Sequence, residues 1–217
     1  MIMAACIAGM TSCGTTRYIS KADIANVNEA ALIAPVAEIS FIDREGQVYL
    51  DEALSEECRK LLTETMLYSG VPISGVIRTD GDMLSDNCLE AIHAIRSINP
   101  KKAGSAPIPE ALDKLLEDNG KRYGIVLFAQ GFERDAKNFR KEAVKGALLG
   151  LVTGIATLGA VTVTNVPSRN TLDTWMAVID SESDRIVFFN HLVTETSPTT
   201  PPQVVRHVEH LTKRLCK

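Results

Sequence analysis

Tyr123-Gly124-Ile125-Val126-Leu127-Phe128-Ala129 is a near-continuous apolar run bounded by turn residues. A strand that is apolar at every position, not only at alternate ones, fits the centre of a sheet, buried on both faces. The flanking sequence supplies the layers to bury it. Upstream, Pro109 opens a helix carrying Leu112, Leu115 and Leu116, closed by Asn119-Gly120. Before that, a helix from about Ser85 to Ile98 lines up Leu89, Ile92, Ile95 and Ile98, and Pro100 ends it ahead of a polar loop, Lys101 to Pro107. Downstream, Leu172–Ile179 and Arg185–Val193 read as a hairpin across the turn Asp180-Ser181-Glu182-Ser183-Asp184.

Further out the same grammar holds. Val36 to Ile42 alternates like a half-buried strand, and Asp43-Arg44-Glu45-Gly46 turns the chain. Ser55 reads as the N-cap of a helix with Leu61, Leu62, Met66 and Leu67, stopped by Gly70 and Pro72. Ile73 to Arg78 is a second strand, and Gln203 to Leu215 a last amphipathic helix with Val204, Val208, Leu211 and Leu215 on one face. The order predicts an α/β fold: a mixed β-sheet packed by helices, an α/β sandwich, with an apolar glycine-rich insertion before the last hairpin.

Composition narrows the function classes. The 217 residues are 45% hydrophobic and 23% charged, as in a globular domain with an adequate core. A net charge of −4 and a pI near 5.6 argue against nucleic acid as partner. Cys58, Cys88 and Cys216 lack metal-ligand spacing. Buried free thiols behave as small hydrophobes, although an exported compartment would also permit one disulfide among the three.

The N-terminus supplies a compartment. Met10-Thr11-Ser12-Cys13 follows nine mostly small, apolar residues and precedes Gly14-Thr15-Thr16-Arg17. The junction resembles a bacterial lipobox, which implies that Cys13 is lipidated and becomes the new N-terminus. Residues 1–12 would then be a signal segment, 13–34 the lipidated N-terminus and a tether, and 35–217 one domain. No Lys or Arg precedes Cys13, whereas a signal peptide begins with a positive region, so the reading puts the true start upstream.

One internal segment is unusual. Between Lys145 and Arg169 no residue is charged, and Gly146, Gly150 and Gly154 recur every four positions. Small residues at that spacing let two helix backbones approach closely, as in membrane helix pairs. Residues 146–166 therefore read as a packed helix or helical hairpin covering the sheet, as a membrane-contacting element, or as a buried β-hairpin built on Val161-Thr162-Val163-Thr164.

The lipobox at Cys13, the strand Val36–Ile42 with its helix, and the hairpin Met176-Ala177-Val178-Ile179-Asp180 with Arg185-Ile186-Val187-Phe188-Phe189-Asn190 together resemble a group of bacterial envelope lipoproteins. The group comprises the CsgG-like secretion lipoproteins, the LpoB-like synthase activators and the N-terminal domain of TolB. Where such proteins place a turn glycine, this chain has Ser183-Asp184. The resemblance implies a palmitate-bearing outer-membrane lipoprotein facing the periplasm, since Gly14 is not the Asp that retains lipoproteins at the inner membrane.

No catalytic constellation emerges. His207 and His210 flank Glu209 without a third ligand, and read as solvated helix surface; His93 and His191 read as packing or surface. Asp80-Gly81-Asp82 with Asp86 lacks the distal Glu of a calcium loop. The expectation is a non-enzymatic lipoprotein with no cofactor and no metal, binding the membrane through its anchor and other envelope proteins or itself. Two alternatives stay open: an oligomeric pore or secretion component using residues 146–166, and a periplasmic ligand-binding module or hydrolase.

Overall fold

A computed structural model describes residues 15–78, 84–143 and 168–215. Cys13, Gly146, Gly150, Gly154, Asp80-Gly81-Asp82 and Cys216 lie outside them. The described residues form an eight-stranded mixed sheet packed by helices. In chain order they are β1 (Thr15–Ile19), α1 (Lys21–Ile24), β2 (Ala30–Ile33), β3 (Val36–Ile42), β4 (Val48–Leu50), α2 (Glu52–Leu67), β5 (Ile73–Ile77) and α3 (Asp86–Arg96). A 3-10 turn (Pro100–Ser105), α4 (Glu110–Asp118), β6 (Tyr123–Arg134), α5 (described over 136–143), β7 (Asn170–Asp180), β8 (Arg185–Thr194) and α6 (Pro201–Thr212) follow.

The apolar run at Tyr123 is the first half of β6, the central strand. Antiparallel β7 and β8 flank it on one side, with β1 beyond them at the edge. On its other side β2 and β3 lie end to end, both parallel to β6. Leu32 faces Ile125 and Val36 faces Phe128, so four residues of one chain cover three of the other. Pro35, which has no N–H to give a ladder, sits at this slip. There the sheet forks: β2 continues into β5 and β3 into β4.

Both faces are covered over the first half of β6. Leu32, Ile125, Leu127 and Met176 meet Cys58, Leu62 and Met66 of α2 and Val204, Val208 and Leu211 of α6. Ile33, Val126, Phe128 and Ala177 meet Cys88, Ile92 and Ile95 of α3 and Leu112 and Leu116 of α4. Cys58 and Cys88 therefore lie on opposite sides of the sheet, both free and buried, and burial pushes the Cys58 thiol up to about 12. A bulge between Val178 and Ile179 lets Val187 and Phe188 both enter the α2–α6 core.

Local chemistry explains the element ends. Asp51, not Ser55, caps α2, accepting the Leu54 N–H at 3.0 Å. The Ser55 hydroxyl instead accepts the Ile39 N–H at 2.9 Å, and the Asp51 N–H donates to the Ile39 carbonyl at 2.8 Å. Together they satisfy β3 where β4 does not reach. In the last hairpin Asp184 adopts φ +49°, the region a glycine would occupy and that Asn and Asp tolerate better than most side chains. Its carboxylate accepts the Ile108 N–H at 3.0 Å. Asp180, at the turn's start, is buried, but Arg122 (2.8 and 3.0 Å) and Ser183 (2.8 Å) outweigh that burial and hold its carboxyl below the usual range.

Residues 15–34, expected as a tether, are part of the fold. β1 pairs with β8 from Thr15 onward, and Ala30 to Ile33 are fully buried between β5 and β6.

Candidate interaction surface

β4 pairs with β3 alone among the described residues, and its three side chains are all apolar or aromatic and all exposed: Val48 64%, Tyr49 48% and Leu50 59%. The strand is held rigidly. Asp43 Oδ1 accepts the N–H groups of Glu45 (2.9 Å) and Gln47 (2.8 Å) across the turn, and Gly46 supplies φ +89°. Behind the turn, the Asp135 N–H donates to the Ile42 carbonyl at 2.9 Å and Asn138 Nδ2 to the Arg44 carbonyl at 3.3 Å, tying it to the start of α5. Tyr49 packs on Phe41 with ring centroids 5.8 Å apart.

Beside this edge the fork opens a cleft of about 550 Å³. Leu50, Val36, Ala37, Leu84 and Leu89 give it an apolar floor, and Glu52, Glu56 and Arg59 a charged rim. A pre-ordered strand edge beside an apolar slot is the arrangement an added strand uses. Backbone bonds hold it, and alternate side chains enter the slot. Natural sheets usually blunt such an edge with charge or proline; Val48-Tyr49-Leu50 has neither.

Past the end of α3 the sheet presents a polar face. Phe128, Trp175 and His191 are cross-strand neighbours on β6, β7 and β8. Trp175 stacks on His191 at 4.3 Å and 9°, and the Arg96 guanidinium lies 4.7 Å from the Phe128 ring and 4.9 Å from that of Trp175. Asp173 Oδ1 meets His191 Nε2 at 2.6 Å, and its Oδ2 accepts from Gln130 at 3.1 Å. His93 Nε2 stands 3.6 Å from Glu38. Among the described residues no hydroxyl or thiol is bonded to His191. No group of three His, Cys, Asp or Glu side chains that could hold a metal occurs among them either.

His207 is the residue the sequence placed worst. It is buried at 2% exposure, not solvated helix surface. Its Nδ1 meets Thr194 Oγ1 at 2.7 Å and its Nε2 meets Thr174 Oγ1 at 2.9 Å. Burial pulls its pKa down from 6.5 to about 4, although the Asp173 charge pulls the other way. The ring is therefore neutral at pH 7 and joins α6 to the sheet. The outer edge of the last hairpin is closed, because β1 covers β8.

No family model matches the chain, and no curated protein matches it. Among solved structures it is similar to a PelC dodecamer from Paraburkholderia phytofirmans, at 7% identity over 94% of this chain and 97% of that one, with a TM-score of 0.44. A DUF4136 family protein from Bacteroides thetaiotaomicron is similar at 12% identity, covering 93% of this chain and 95% of that one, with a TM-score of 0.32. No helix of the described residues is long and apolar enough to cross a membrane.

Proposed function

We propose that this chain is a non-enzymatic, membrane-anchored envelope lipoprotein that works by protein interaction, either with copies of itself or with another envelope protein. The observation that carries the interaction is the exposed apolar edge Val48-Tyr49-Leu50 beside its cleft. Burying the exposed half or so of each of these three side chains stabilises a complex by about 1 kcal/mol each, enough to reward docking on a pre-ordered edge. The anchor rests on the Met10-Thr11-Ser12-Cys13 junction, and the kinship to CsgG-like, LpoB-like or TolB-type lipoproteins belongs to the same reading.

The anchor is tested by intact mass. Expressed with its native upstream sequence, the membrane-fraction protein should have the mass of a chain starting at Cys13 plus a diacylglycerol and an acyl group. The Cys13→Ala variant should lose both the lipid and the membrane. Unmodified protein in the soluble fraction sinks the anchor.

A further inference from the structure

We infer that the groove between β1 and α6 is a binding site for the phosphate of anionic lipid headgroups. The groove, about 680 Å³, has Leu192 and Thr194 of β8 at its floor, Arg17 of β1 on one wall and Arg206, Lys213 and Arg214 of α6 and its C-terminal turn on the other. Among the described residues no carboxylate lines it. Several cations elsewhere are paired: Arg122 with Asp180 and Glu182, Arg44 with Asp135, Lys121 with Glu29. None of the four groove cations has an ion pair among the described residues. Glu209, on the same stretch of α6, does not line the groove.

The helix dipole does not account for the cluster. Lys213 and Arg214 complement the C-terminal end of α6, but Arg206 lies in its middle and Arg17 comes from a strand distant in sequence. Four like charges gathered on a chain of net charge −4 repel one another unless an anion is bound. The floor is uncharged, because His207 is neutral with both ring nitrogens engaged by threonines. Cationic walls over a floor of leucine and threonine suit an anion joined to an apolar body.

The choice of a lipid over a free anion rests on the lipoprotein reading. Arg17 is four residues after Cys13, at most about 14 Å of fully extended chain. β1 begins at Thr15, so almost no tether separates the sheet from the acylated residue. An anchored domain therefore carries this groove within reach of the headgroups.

The test uses the full chain with Cys13→Ser, so that no lipid is attached. Its partition onto phosphatidylcholine vesicles is compared with vesicles containing about one-third phosphatidylglycerol. The anionic vesicles should bind at least about tenfold more protein, and Arg206→Gln, Lys213→Gln and Arg214→Gln should each lower that binding about fivefold. Lys114→Gln, an exposed lysine on α4, should leave it unchanged, and circular dichroism checks that each variant is folded. Equal partition onto the two vesicle types, or indifference to the α6 substitutions, overturns the site. Stabilisation by millimolar inorganic phosphate without vesicle binding overturns the lipid assignment. Vesicle preference in a chain whose Cys13 proves unmodified in cells would defeat the anchor and leave the groove standing. Lipidation without vesicle preference would do the reverse.

Discussion

Lowering the pH from 7 to about 4 should cost the folded state about 3 kcal/mol through His207 alone. Unfolded, this imidazole binds a proton near its ordinary value of 6.5; folded, buried between Thr174 and Thr194, it binds one only at about 4. The unfolded state thus holds more protons throughout that window, and stability falls as pH falls through it. At about 1.4 kcal/mol for each pH unit of the difference, the total is about 3 kcal/mol. Asp173 favours the charged ring and His210 opposes it, and burial is stronger than either. The carboxyls held low, Glu29, Asp135 and Asp180, lose their contribution mainly at still lower pH. Urea unfolding across the range should show the slope in the native chain and a flatter one in His207→Gln. A native slope no steeper than the variant's would mean that the ring is solvated or already charged.

Gly131→Ala should be the most damaging single-methyl change in the sheet, at about 3 kcal/mol. A Cβ at this position would stand 2.1 Å from the Thr171 carbonyl oxygen and 3.3 Å from Leu172 Cα, both on the neighbouring backbone. Rotating a side chain cannot relieve that contact. β6 and β7 would have to separate where they pair along their whole length, which puts the cost at the top of the usual range of overpacking. Gly75→Ala is the control, since no atom lies within 4 Å of its added methyl. A thermal midpoint for Gly131→Ala equal to that of the control would contradict the tight β6–β7 approach.

What could be read from the sequence depended on how local the cause was. β6 announced itself as a doubly buried run, and α3 and α4 by caps and apolar spacing. Ala30 to Ile33 escaped notice because a short buried strand has no alternation, and because its partners β5 and β6 come far along the chain. β4 was missed for the opposite reason. All three of its residues are exposed, so no period marks it, though the Asp43–Gly46 turn followed by β-formers held the signal. His207 could have been placed: it stands three residues after Val204 and four before Leu211, on the face the periodicity assigned to the core. The basic groove could not, since Arg17 and Arg206 meet only once β1 has been laid against β8 beneath α6.

The interaction claim is decided most directly by crosslinking in place. A photoreactive phenylalanine analogue substituted for Tyr49, in protein expressed in its native membranes, should give a discrete adduct of defined mass on irradiation. Val48→Glu with Leu50→Glu should weaken that association about 100-fold. The same probe at Tyr68, which is 90% exposed at the end of α2, should give none. A discrete adduct from Tyr49 alone identifies the partner as a second copy or as another envelope protein. No adduct from any β4 position, or equal labelling from Tyr68, would contradict the reading of this edge as the working surface.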